Sequence, residues 1–126
     1  APPPAHDGGG RSNGSLALGL ARRCIALLSP CPHGSSPYDS SLAAELESRR
    51  DELDSAGDGT LATARAAAAE FAWRASAALV TATGSRAIKH GEHAERLARE
   101  ALFLLVFGTR PAIRSALLER LGATPR

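Results

Sequence analysis

One stretch constrains this chain more than any other: residues 61–83, which read Leu-Ala-Thr-Ala-Arg-Ala-Ala-Ala-Ala-Glu-Phe-Ala-Trp-Arg and continue rich in alanine. Alanine is the strongest helix former because it loses no side-chain entropy and buries no polar group. The stretch therefore predicts a long helix over 61–83, with Thr60 as N-cap and Gly84 as the terminating glycine. Leu61, Ala64, Ala68, Phe71, Ala75, Ala78 and Ala82 recur at helical spacing. A face lined by alanine lets a neighbouring backbone approach closely. Alanine is also the commonest residue of the chain, 26 of 126, and aromatic residues are only 4 %. That balance favours helices packed on small side chains over a sandwich or barrel.

The same periodicity places the other elements. Leu16, Leu20, Cys24, Leu27 and Leu28 share one face of a helix over 15–28, stopped by Pro30 and Pro32. Asn13 or Ser15 is placed to cap its start. A second helix over 40–53 has a narrow stripe of Leu42, Leu46 and Leu53, with Glu45 and Arg49 as an i,i+4 pair on its outer face. It is the most polar helix and the one expected to be most exposed. A fourth helix over 93–107 opens with Glu92, Glu95, Arg96, Arg99 and Glu100 at i,i+4 spacing. It then becomes apolar on every side, from Ala101 to Phe107. A helix apolar all round is a buried helix, so this run is expected to be covered, in part by a partner. Gly108 ends it, and Pro111 opens a last helix to about Leu121. The chain is expected to be all-α: an up-down bundle of four to five helices over 15–122. Residues 1–14, rich in Pro, Gly and Ser, read as a flexible linker or tail, and 123–126 as a second tail. The first residue is Ala, which suggests a processed chain or a piece of a longer one.

Composition and motifs exclude several functions. The basic residues are dispersed among acids at a net charge of +2, so no nucleic-acid footprint shows. No apolar run reaches membrane length. Cys24 and Cys31 make no metal pattern and are too few for a disulfide scaffold. His90-Gly91-Glu92-His93 puts two imidazoles and a carboxylate together but lacks the i,i+4 histidine spacing of a helical metal site and reads as a polar helix start, so no metal is expected. No phosphate-binding glycine loop and no nucleophile elbow occurs.

The informative block is residues 84–121. It holds Gly84-Ser85-Arg86, then Glu95-Arg96-Leu97-Ala98-Arg99-Glu100-Ala101, an apolar run, Phe107-Gly108-Thr109, and Ile113-Arg114-Ser115 opening the last helix. This block resembles the C-terminal helical domain of the acyl-CoA dehydrogenase family, and the helix order matches over 15–122. The resemblance implies a bundle from a cytoplasmic FAD flavoprotein that oxidises the α,β bond of an acyl-CoA. Its role would be subunit association and covering of the FAD and acyl site. Its partners would be a second copy or a related acyl-CoA dehydrogenase subunit. Thr83, Gly84 and Thr109 stand where the family touches cofactor, and Arg96, Arg99 and Glu100 where it has structural charges.

The departures remove the chemistry. The family's catalytic Glu falls at Gly108, or at Phe107 if the match is anchored on Gly-Thr, and neither is a base. No carboxylate lies between Ala101 and Leu118, and none lies in 15–28. The family's upstream flavin-binding domains are not in these residues, so the chain alone is not expected to bind FAD or to be catalytic. The alternative reading is a stand-alone helical interaction module without flavin. Across the bundle, Arg65 or Arg74 is expected to partner Glu100, and Glu70 to partner Arg99. The competing arrangement pairs Glu95 with Arg99 and Arg96 with Glu100 inside one helix.

Overall fold

The alanine-rich stretch forms the helix the sequence predicts, and the other helices are laid around it. The computed structural model describes residues 9–28 and 39–123. Most of the expected N-terminal tail (1–8), the Pro-rich loop over 29–38 with Cys31, and the last residues 124–126 lie outside the described residues. In order come α1 (Gly10–Leu28), α2 (Asp39–Ser55), α3 (Leu61–Thr83), a short 3-10 turn (Gly84–Ile88), α4 (His93–Leu104) and α5 (Pro111–Arg120). No strand occurs among the described residues.

Helix direction follows from which ends meet. A Cβ on Gly10 would stand 3.5 Å from Leu61, and one on Gly14 would stand 2.8 Å from Leu53. Arg65 reaches the backbone of Leu104 and Phe107. The start of α1, the end of α2, the start of α3 and the end of α4 therefore share one end of the molecule, so α1 to α4 run up, down, up, down. α5 runs up beside α3: Ile113 and Leu117 share a small core with Ala66 and Ala69, and Arg120 reaches Glu70.

In a square up-down bundle the diagonal helices stand apart. Here the α1 and α3 diagonal is the most extensive contact, while α2 and α4 do not meet. The cause is small side chains: Ala17 and Ala21 of α1 and Ala64, Ala68, Ala72 and Ala75 of α3 are buried in one core with Leu18, Cys24 and Phe71. The section is a flattened rhombus, with α2 and α4 on opposite flanks of the α1 and α3 pair. α5 touches α3 and no other helix.

Three helix ends differ from expectation. α1 begins at Gly10 and not at residue 15, so 10–14 belong to the bundle and not to a tail. Gly10 and Gly14 are its contact points, where the absent Cβ admits Leu61 and Leu53. α2 runs to Ser55. α4 stops at Leu104 and not at 107, because the next amides turn back on Leu102 and Phe103 carbonyls and Gly108 takes a φ of +64°. Thr60 precedes α3 as predicted, but its hydroxyl accepts from the Gly57 amide at 3.0 Å and caps no amide of α3. Gly84 ends α3 at φ +80°, and Pro111 is the first residue of α5. α2 is the most polar helix, with Leu53 its fully buried anchor.

Candidate functional site

The run over 101–107 is where expectation and structure part most. Ala101 and Leu104 are buried, but Phe103 is 55 % exposed, Val106 70 % and Phe107 47 %. The reason is the rhombic section. α4 sits on a flank and turns one side to α1 and α3, so the far side of an all-apolar segment meets nothing among the described residues. Eight large hydrophobic residues are exposed among the described ones, and seven gather around this segment: Leu16, Leu102, Phe103, Val106, Phe107, Leu118 and Leu121. Scattered surface hydrophobics are ordinary, but a contiguous patch marks an interaction site.

Two grooves flank the segment. One, about 550 Å³, runs between α1 and α4 and is lined by Leu16, Leu20, Leu97, Phe103 and Phe107, together with Gly19, Arg23, Arg96 and Glu100. The other, about 320 Å³, lies between the turn after α4 and α5, lined by Leu105, Val106, Thr109, Leu118 and Leu121. The rings of Phe103 and Phe107 stack at 4.8 Å between centroids, so the ridge between the grooves is one aromatic unit. A third cavity, about 640 Å³, lies at the other end of the bundle against Leu28, Leu42 and Ala78.

Beneath the ridge lies Arg65, which is wholly buried. Its Nη2 donates to the Leu104 carbonyl at 2.9 Å and to the Phe107 carbonyl at 3.0 Å. No carboxylate stands beside it, and burial pushes its pKa down. Its charge is met instead by the negative end of the α4 dipole and the two orphan carbonyls there. Nε and Nη1 find no partner among the described residues. Sequence reasoning considered Arg65 only as a partner for Glu100. The available signal was its setting: a lone arginine inside alanines that occupy every face of the helix lies in a segment with no solvent side.

The other site residues are placed as follows. Arg96 pairs with Glu100 at 3.8 Å and Arg99 with Glu95 at 2.5 Å, both inside α4; the first pair is exposed, and in the second Glu95 is half-buried. The cross-bundle partners are not used: Arg74 goes to Glu70 and Glu45 instead. The reason is position, since the acidic and basic turns of α4 face solvent while its alanine and leucine side faces the core. Arg99 holds the Glu95 carboxyl below its ordinary range. Cys24 is a buried free thiol pushed up to about 11 by burial and by Glu100, which disfavours its thiolate.

Thr83 and Gly84 stand at the far end of α3. The 18 residues from Arg65 to Thr83 span about 27 Å at 1.5 Å per residue, whereas Thr109 lies two residues past the Arg65-bound Phe107. The hydroxyls of Thr83 and Thr109 already donate to the carbonyls of Leu79 and Val106. Thr83 and Gly84 are therefore not brought together with Thr109. Gly108 and Phe107, where a family base would fall, carry no titratable group. Among the described residues no cluster of His, Cys, Asp or Glu could hold a metal, and no helix is long and apolar enough to cross a membrane. No protein-family model, curated protein or solved structure matches the chain.

Proposed function

We propose that this chain is a cytoplasmic helical association module. Its working surface is the apolar ridge and grooves around the C-terminal turn of α4, and its occupant is another protein surface. The observation that carries the reading is the gathering of seven exposed large hydrophobics around one segment. Burying side chains of this size is worth roughly 1.5–3 kcal/mol each, enough for a stable contact if only a few are covered. The arginine beneath keeps the segment in one conformation and limits the ordering entropy that association costs. The acyl-CoA dehydrogenase resemblance gives the bundle the same non-catalytic role and adds a partner, a second copy or a related flavoprotein subunit. Helix order and the block from Glu95 to Ala101 support that addition.

The test is a folded variant that loses the surface. Phe103→Ser with Phe107→Ser should keep the helical melting curve nearly unchanged, since both rings are half exposed. It should remove most of the fluorescence of a bound apolar dye, together with any concentration-dependent mass seen by light scattering. A parent chain that neither binds dye nor associates, and that is indistinguishable from the variant, overturns the reading. The flavoprotein partner is tested separately by colour: a chain co-purified with its partner subunit should be yellow under that reading.

A further inference from the structure

We propose that the groove between α1 and α4 is the docking site for an acidic amphipathic helix of another protein. The proposal rests on the association reading above and names the chemistry of the partner.

The groove has the dimensions of a helix seat. Along the helical part of its α4 wall, from Arg96 to Leu104, it runs about 12 Å at helical rise, about two turns of an occupant. Its walls are apolar: Leu16 and Leu20 on α1 face Leu97, Phe103 and Phe107 on the α4 side. Gly19 also lines it; this residue is exposed, and a Cβ there would meet nothing within 4 Å. The backbone of an incoming helix can approach closely at that point. Leucines presented at i, i+4 and i+7 would fill such a seat.

Charge selects among possible occupants. α1 carries Arg11, Arg22 and Arg23 and no carboxylate. Arg11 is used inside the fold, whereas Arg22 and Arg23 are exposed and have no ion-pair partner among the described residues. Arg23 and Arg96 line the groove, and the one carboxylate in its lining, Glu100, is shared with Arg96. An occupant with glutamates or aspartates flanking its leucines would meet these cations. A second copy using the same face would set Arg23 and Arg96 against their own kind. A membrane surface would meet the Phe103 and Phe107 ridge but would leave the concave groove floor unfilled.

The opposite flank of α1 already seats a helix of this chain, α2, through a glycine and an arginine; the carboxylates of Glu45 and Glu52 pair with Arg49 and Arg74 and not with α1. Leu53 of α2 seats over Gly14, and the last carbonyls of α2 are held by Arg11. Gly19 and Arg23 on the α4 side repeat that pairing of a small residue with an arginine, without an occupant.

The experiment uses the whole chain and two synthetic helical peptides of about four turns. Both have leucines at i, i+4, i+7 and i+11, one with glutamates at the flanking positions and its twin with lysines. Binding is read by fluorescence anisotropy. The acidic peptide should bind, and its twin should bind at least roughly tenfold more weakly. Gly19→Trp fills open space without touching the core, so it should fold, as circular dichroism will check, and should weaken the acidic peptide roughly tenfold or more. Arg23→Glu should reverse the preference between the twins. Equal binding of both peptides, lost in Gly19→Trp, overturns the acidic partner and leaves the association face standing. So does binding to anionic phosphatidylserine vesicles without peptide binding, and so does a dimer in sedimentation that Gly19→Trp abolishes. Failure of every probe, with no apolar dye bound, overturns this inference and the association reading together.

Discussion

Gly14 and Gly19 lie five positions apart on one helix and have opposite meanings. Gly14 is buried, and a Cβ there would stand 2.8 and 2.9 Å from the two methyls of Leu53, itself fully buried. Gly19 faces open space. Alanine is worth up to about 1 kcal/mol over glycine in a helix interior. Gly19→Ala should therefore raise stability by about 0.5–1 kcal/mol. At Gly14 the same gain is outweighed by overpacking, which typically costs about 1–3 kcal/mol, so Gly14→Ala should be a net loss. Urea denaturation of the two variants decides it, and equal signs would refute the packing argument. In the sequence both residues are glycines in an amphipathic repeat, and nothing in the repeat separates them. What separates them is that Leu53 arrives from a segment 39 positions on.

Helix ends are where sequence signals and tertiary contacts compete. Gly84 and Pro111 are local signals and act where they stand. α2 and α4 end differently, each on an arginine from another helix. Arg11 donates to the carbonyls of Leu53 and Ala56, the latter at 2.7 Å, and Arg65 to those of Leu104 and Phe107. In both places a cation sits at the negative end of a helix and occupies carbonyls that have no intrahelical partner. Arg11 is half-buried, Arg65 wholly so. Arg65→Ala should cost about 3 kcal/mol or more, from lost packing and two orphaned carbonyls. Arg65→Met should cost less, because it fills the space and removes the unpartnered Nε and Nη1 along with a desolvated charge. The comparison is a pair of equilibrium unfolding curves. If the methionine variant is the less stable, the charge itself holds the turn, and the packing account is wrong.

At the scale of the whole molecule, α2, α3 and α5 are tied by one surface network. Glu45 of α2 is gripped by Arg74 of α3 through both oxygens, Arg74 also bonds Glu70 at 2.8 Å, and Arg120 of α5 reaches Glu70 at 3.8 Å. Arg74, and less strongly Arg49, holds the Glu45 carboxyl below its ordinary range. A depressed carboxylate contributes stability above its unfolded value, and that contribution is lost as pH falls through the folded value. The melting temperature should therefore drop as pH falls from 5 towards 3, on the order of the range where such groups protonate. Glu45→Gln should lower stability at pH 7 by about 0.5–1 kcal/mol, since the pair is partly exposed, and should flatten the acid drop. A variant with the parent's acid profile would show that other carboxylates carry the acid sensitivity. No single-sequence rule foresees this network, because Glu45 has an equally good partner four residues on in Arg49.

The sequence by itself determined the helices, their order and their alternation of direction. Alanine content, glycine and proline punctuation and the 3.6-residue repeat act locally, and short connections oblige neighbours to run antiparallel. It also marked residues 101–107 as a seam that needs cover, which is as much of the candidate site as could be read. Tertiary structure alone decided how much of that seam is covered. Where most buried positions are alanine, many faces accept close approach equally well, and the repeat has too little contrast to say which faces meet. Here the α1 and α3 diagonal closes, α4 is moved to a flank, and half of its apolar end is left at the surface over a buried arginine. That arrangement depends on contacts between residues some 40 positions apart, such as Arg65 with Leu104 and Phe107, and no local pattern encodes such a distance.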